Sequence, residues 1–349
     1  MIDNWRQFLT SQGAEFEGNQ VKQFGDENAE KQAALEGHTL CDLSHYGLIR
    51  AFGEEATDFL QNQFCNDVRN VSNAQSQLNA YCNPKGRVLA FFRLFQIEDQ
   101  YYLRLPKAIL GDTQNRLQMF VMMSKVSLED ASDELLRIGY SGSDADQELG
   151  KIIDSVPTDV DTVTHTNDVT VVRVSDTPPR FELYGEADVI KSIWGKLTSK
   201  ATPVGSGSWD LLDIKDAIPE VVPETKEAFV PQMINLEGIN ALSFKKGCYP
   251  GQEIVARMHY LGKLKRHMFI AHIDENTIPA PGDSLFAGGS ESGQGAGKIV
   301  RAESNPNGGT DLLAVIELAS IKKGSLHLES AQGPVLNLQP LPYKIGEPE

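Results

Sequence analysis

Three apolar runs between Leu78 and Leu105 leave this chain little choice of fold. L-N-A-Y-C-N (78–83) and V-L-A-F-F-R-L-F-Q-I (88–97) are separated only by P-K-G-R, and Y-Y-L-R-L (101–105) follows a short turn at Glu98 to Gln100. Turns this short, one of them Pro-Lys-Gly, fold the runs back as antiparallel strands. Upstream, H-T-L-C-D-L-S-H-Y-G-L-I-R-A-F (38–52) reads as one strand. Tyr46, Leu48, Arg50 and Phe52 fall on one face, and His45, Gly47, Ile49 and Ala51 on the other. Gly53 opens a helix with Glu54 and Glu55 in its positive first turn, and Ala56, Phe59, Leu60 and Phe64 share one side of it. Residues 107–122 read as a second helix with Ile109, Leu110, Leu117, Phe120 and Val121 as apolar points. Met119, Met122 and Met123 read as gap-fillers in core. K-V-S-L-E is a strand after it. The order strand, helix, strands, helix, strand predicts an α+β domain with antiparallel sheet.

Leu135 to Gly142 reads as a further strand, and Ser143 to Asp168 is polar and acidic with one weak helix. Residues 169–174 and 180–184 pair around Thr177-Pro178-Pro179. Ala187 to Leu197 is helical. G-S-G-S-W begins another helix, with Ser208 as its N-cap and Pro219 as its stop. Residues 219–235 read as an ordered loop. After Gly262, short apolar runs alternate with Gly, Pro and Asn turns, the pattern of a small β-barrel. The domains expected are therefore 1–261, an α+β region that includes the Cys248 stretch, and 262–349, a C-terminal β-barrel. The glycine-rich 288–297 reads as a hairpin loop, since it lies between short strands.

Several function classes are excluded at this level. The formal net charge is -16, which opposes tight nucleic-acid binding by the whole surface and leaves room only for a local basic patch. The four cysteines, Cys41, Cys65, Cys82 and Cys248, form no C-x-x-C pair, which argues against a zinc knuckle or a thioredoxin motif. His259, His267 and His272 cluster in sequence without a carboxylate or thiol at metal spacing, so no metal site is expected. G-x-S-x-G, H-E-x-x-H and the P-loop are absent. His45 is a candidate general base by residue type, and a strand residue by position. The N-terminus has no signal-peptide pattern and no apolar run is long enough to span a bilayer, so the expectation is a soluble cytoplasmic protein.

One stretch carries reactive chemistry: F-K-K-G-C-Y-P-G-Q-E-I-V-A-R-M, 244–258. Lys245 and Lys246 precede Cys248 and Arg257 follows it. Pro250 and Gly251 suit a helix entry, Gln252 to Met258 a short helix, and Gly262 its exit. Cys248 would then lie just before a helix N-terminus, beside two ammonium groups, and both favour the thiolate. The plainer reading is a small buried hydrophobe. Tyr46, beside Gly47, and Trp209, after a Gly-Ser entry, are core rings by default. They would also serve as walls for a flat heteroaromatic ligand such as a pterin.

K-K-G-C-Y-P-G-Q-E resembles the signature of the YgfZ-type folate-binding proteins, relatives of the glycine cleavage T-protein, an aminomethyltransferase. L-C-D-L-S-H (40–45), F-L-Q-N-Q-F-C-N-D-V (59–68) and N-P-K-G-R (83–87) resemble further blocks of the same family, and the likeness runs from about Leu40 to the C-terminus. The resemblance implies a T-protein-like α+β fold in a ring-like three-domain arrangement ending in a C-terminal β-barrel. It implies tetrahydrofolate or another folate as cofactor, and support of iron–sulfur protein assembly or repair, hence of tRNA modification. Iron–sulfur enzymes or assembly proteins would be transient partners. Cys248 would be the reactive group, with Lys245, Lys246 and Arg257 supporting the thiolate. Tyr46 and Trp209 would flank the folate, with Asp216 and Arg257 among its binding residues. T-proteins carry an acidic pair where this chain has Ala90 and Phe91, so their aminomethyl chemistry is not expected here. A T-protein glutamate that holds the pterin corresponds to Lys215, with Asp216 beside it. The alternatives are an aminomethyltransferase proper and a non-enzymatic docking scaffold.

Overall fold

The structure is a computed structural model and describes residues 1–262, 264–288 and 295–345. The chain divides into two compact units, each assembled from separated segments. The first comprises Met1–Phe59, Arg69–Gln77 and Arg93–Leu212; the second comprises Leu60–Val68, Leu78–Phe92 and the chain from Asp213 onward.

The first unit holds a six-stranded sheet in the order Val163–Thr166, Val169–Asp176, Pro179–Gly185, Leu136–Ser141, Thr39–Asp42, Thr202–Val204. Its pairings are antiparallel except the last, where Thr202–Val204 runs parallel to Thr39–Asp42. Helices Asp3–Ser11 and Ala187–Leu197 bring Trp5, Leu9, Ile190 and Trp194 onto the core of this sheet. Tyr46–Phe52 lies between Gln100–Pro106 and Ser127–Asp130 in a second antiparallel sheet, with helix Lys107–Val121 alongside. Strands Gln77–Cys82 and Val88–Ile97 carry the N-P-K-G-R turn, residues 78–92 of them in the second unit, and the C-terminal chain forms a six-stranded antiparallel sheet. The interior of that sheet includes Ala271, Ile299, Leu312, Ala314 and Leu328. The α+β class and the helices expected at 107–122 and 187–197 are present, the latter with the expected bounds.

Four local expectations are corrected. First, residues 38–52 are two strands in two sheets, Thr39–Asp42 and Tyr46–Phe52, broken at Leu43 to His45. The buried Asp42 carboxylate turns the chain: it accepts from the Ser44 hydroxyl (2.7 Å), the Ser44 N–H (3.3 Å) and the Trp5 indole N–H (2.8 Å). The buried Arg137 guanidinium takes up the carbonyls freed there, donating to those of Leu43 (3.2 Å) and Tyr46 (2.8 Å). Burial pulls Arg137 below the usual arginine range. Replacing Asp42 by alanine strands a buried indole N–H and a buried hydroxyl, so we expect Asp42→Ala to cost about 3 kcal/mol in a denaturant melt. A loss below about 0.5 kcal/mol would remove Asp42 as the organiser of the turn.

Second, the helix assigned an N-cap at Ser208 starts at Ser206 and ends at Lys215, short of Pro219. Gly205 precedes it, and a Cβ there would come within 1.8 Å of the Lys22 carbonyl. Its N–H donates to the buried Glu30 carboxylate at 2.8 Å, so an acid from elsewhere in the chain serves this helix end. Third, Met119, Met122 and Met123 are 65%, 87% and 96% exposed, not core: Met119 is on the outer side of helix Lys107–Val121, and Met122 and Met123 lie in the turn that follows it. Fourth, the polar N-terminal stretch contains a hairpin, Glu15–Glu17 with Gln20–Gln23, that its composition did not announce. Of the glycine-rich 288–297, residues 289–294 lie outside the described residues; strands Ser284–Ala287 and Gly297–Ser304 pair antiparallel.

Candidate functional site

The segment that carries Cys248 is fixed through backbone contacts within the second unit. Asn83 opens the N-P-K-G-R turn, its side-chain carbonyl accepting from the N–H groups of Lys85 (2.9 Å) and Arg87 (3.0 Å), and Gly86 takes φ +68°. Gly251, at φ +84°, lies directly on this turn: a Cβ there would come within 2.4 Å of the Asn83 carbonyl and 2.7 Å of Gly86. Two of the quoted sequence blocks therefore meet backbone to backbone, which requires glycine. Gly251 is also the N-cap of helix Gln252–Tyr260, so Cys248 lies three residues before the cap, as expected.

Lys245 and Cys248 are exposed, while Lys246 and Tyr249 are buried. Lys246, expected to support the thiol, has another post. Its ammonium donates to the carbonyls of Gln61 (2.5 Å) and Phe64, where helix Ala56–Gln63 ends, and lies 5.2 Å from the Tyr249 ring centroid. A cation on the last carbonyls of a helix is favourably placed. Arg257 is exposed on helix Gln252–Tyr260, and Phe244 stacks on His259 of that helix at 3.8 Å. Below Tyr249, Cys65 and Cys82 bring their sulfurs to 3.3 Å. Burial, with the two thiols beside it, pushes the Tyr249 hydroxyl far up.

Tyr46 and Trp209, both of the first unit, come together in a small cluster with Cys41, Leu43 and Val204. They are 1% and 2% exposed. The Trp209 ring lies flat across strand Leu136–Ser141, and Gly139 makes room for it: a Cβ there would stand 2.4 Å from Cζ3. Each ring carries a guanidinium on its face, Arg104 at 4.2 Å over Tyr46 and Arg180 at 4.9 Å over Trp209. Arg104 also pairs with the buried Glu182 at 2.7 Å, which in turn accepts from the Tyr184 hydroxyl. His45 stacks on Tyr46 with centroids 4.2 Å apart. The arginines were missed at the sequence level, where each reads as one polar residue on an alternating strand. Gly139, a lone glycine inside an apolar strand, was the legible signal for close approach.

Asp216 belongs to the second unit and is half-buried. Its neighbour Lys215 is anchored to Asp311 at 2.7 Å. That carboxylate is fully buried, and it also holds His272 Nδ1 (2.8 Å) and Asn305 Nδ2 (2.7 Å). Ala90 and Phe91 are buried, Phe91 within the apolar core of the second unit. Among the described residues no group of three or more His, Cys, Asp or Glu could hold a metal ion, and none of the helices is long and apolar enough to cross a membrane.

Comparison with known proteins shows the family and the fold. Residues 8–243 match the GCVT N-terminal domain. The chain is 32% identical over 307 residues to the tRNA-modifying protein YgfZ of Colwellia psychrerythraea, covering 88% of this chain and 93% of that one. It is 29% identical to the protein of the same name from Sodalis glossinidius, over 88% of this chain and 94% of the other. The fold matches the glycine cleavage system aminomethyltransferase T of Bartonella henselae with a TM-score of 0.74 over 96% of both chains, at 16% identity. With the domain match over most of its length and 32% identity to a YgfZ protein over 88% of the chain, the chain belongs to the GCVT domain family and, within it, to the YgfZ-type tRNA-modifying proteins.

Proposed function

We propose that this protein binds a folate and uses Cys248 to support iron–sulfur proteins, and through them tRNA modification. What carries the cysteine half of the reading is the exposed Cys248 at the entry of helix Gln252–Tyr260, on a segment fastened at both Gly251 and Lys246. A fastened, exposed thiol near a helix N-terminus presents a defined nucleophile or ligand to a partner. The folate half is supported by family membership. Tyr46 and Trp209, 1% and 2% exposed, would wall a pterin once the Arg104 and Arg180 guanidiniums that cover their faces swing aside, and those guanidiniums suit an electron-rich ring or a carboxylate. When bound, tetrahydrofolate supplies one-carbon chemistry. This chain's own residues would hold and orient it and keep water from its ring. Direct aminomethyl transfer is disfavoured because Ala90 and Phe91 are packed apolar residues, with no carboxylate to move the proton.

Titration of tetrahydrofolate into wild type and Trp209→Ala in a calorimeter tests the folate half. We expect micromolar binding by wild type and a loss of about tenfold or more in the variant, since a stacked aromatic contributes roughly 1–3 kcal/mol. No heat at millimolar folate would sink it. A second reading, a scaffold that docks iron–sulfur enzymes without folate, draws on the exposed Met119, Phe120, Met122 and Met123, a soft surface of the kind that adapts to partners. On that reading a variant that has lost folate binding and keeps the wild-type melting temperature has full activity in cells.

A further inference from the structure

The second unit buries two thiols side by side, and nothing in the reading above uses them. Cys65 follows helix Ala56–Gln63, and Cys82 ends strand Gln77–Cys82. A β-bridge between Phe64 and Tyr81 and a hydrogen bond from the Cys65 N–H to the Ala80 carbonyl (2.9 Å) hold the two segments in register. The sulfurs meet at 3.3 Å, and the residues are 0% and 1% exposed. As space-fillers either position would be served by alanine or valine. A disulfide needs its sulfurs near 2.05 Å, a closure of about 1.2 Å from the 3.3 Å observed. Both partners already stand on bridged backbone.

The pair is covered by the segment that presents Cys248. The Ser243 N–H donates to the Cys65 carbonyl (3.1 Å), Lys246 donates to the Phe64 carbonyl, and Tyr249 is buried over the thiols. The neighbouring Cys65 and then burial push the Cys82 thiol up, which keeps the pair reduced and slow while the cover is closed.

We propose that Cys65 and Cys82 are a reversible dithiol–disulfide pair, oxidised by a peroxide when segment 243–249 lifts. One thiolate attacks a peroxide oxygen and the O–O bond breaks. Hydroxide leaves and is protonated to water, and the sulfur becomes a sulfenic acid. The second thiol attacks that sulfur, the S–O bond breaks, and a second water leaves as the disulfide forms. Two thiols lose two electrons and two protons, and hydrogen peroxide is reduced to two waters. A dithiol reductant reverses the change.

The test uses the full chain, with Cys248 blocked by iodoacetamide in the folded wild type and, in parallel, replaced in Cys248→Ser. Each is treated with hydrogen peroxide, denatured, alkylated with N-ethylmaleimide and mapped by mass spectrometry. The expected product lacks two hydrogens and two alkyl groups, yields one 65–82 cross-linked peptide, and returns to full alkylation after dithiothreitol. A further Cys82→Ser change should abolish the cross-link. Lys246→Met, which releases the cover, should speed it several-fold. Complete alkylation of Cys65 and Cys82 after peroxide, a cross-link to Cys41 instead, or a cross-link formed only in denaturant would overturn the proposal. An unchanged rate in Lys246→Met would overturn the covering role of the segment.

Discussion

Replacing Cys248 by alanine should reduce the support of iron–sulfur enzymes to the level of a strain lacking the protein, and leave the fold unchanged. The two halves of this expectation come from the same observation. Cys248 is exposed, so the truncation removes little packing, and exposed positions of this kind shift stability by about 0.5 kcal/mol or less. The backbone that presents it is held by Gly251 and Lys246, neither of which is altered. The readouts are thiolated nucleosides in total tRNA from a complemented deletion strain, and the melting temperature of the purified variant. Wild-type nucleoside levels in the alanine variant would remove the cysteine mechanism. A collapsed melting temperature would mean that the thiol is structural after all. Serine at the same position separates shape from chemistry: it restores the volume without the thiolate, and should be as inactive as alanine.

Gly251→Ala should be the most destabilising conservative change in the site. Two costs add. The residue sits at φ +84°, where an L side chain is strained by roughly 1–2 kcal/mol. The new Cβ would also stand 2.4 Å from the Asn83 carbonyl and 2.7 Å from Gly86, all backbone atoms that can yield only by parting the turn from the helix. We expect a total of about 3 kcal/mol or more in a denaturant melt, and loss of activity with it. Gly247→Ala is the control. It lies one residue from Cys248, has open space around its Cα and an ordinary φ, and should cost less than about 0.5 kcal/mol. Equal effects at the two glycines would show that the Gly251 contact does not organise the segment.

The parts of this molecule legible in its sequence are those whose causes lie within a few residues. The antiparallel strands at 77–106 follow from short turns, and helices Lys107–Val121 and Ala187–Leu197 from apolar spacing. The helix entry at Gly251 follows from a Pro-Gly pair. What escaped depends on distant partners. The break after Asp42 needs the indole of Trp5, 37 residues away. The start of helix Ser206–Lys215 is displaced because Gly205 presses on Lys22 and Glu30 reaches its N–H, 175 residues away. Lys246 and Cys248 are near neighbours in sequence, and their charge and thiol read as one constellation. A bend over residues 244–246 turns the lysine away, to carbonyls 182 and 185 residues distant. Met119, Met122 and Met123 were misread because methionine at a helix end carries no sign of which side of the helix faces solvent.

The segmented make-up of the second unit also has a consequence for how the protein is made. Residues 60–68 and 78–92 leave the ribosome early, yet the rest of their unit starts only at Asp213. At about 5–20 residues per second, the residues 93–212 between them delay that arrival by roughly 6–24 s. Through that interval Phe64, Cys65, Cys82 and Phe91, all destined for burial, have no completed interior to enter. The nascent chain therefore presents a sticky, thiol-bearing stretch for far longer than a hairpin takes to form. Its yield in the cell should depend on chaperone supply during translation more than on the stability of the finished fold.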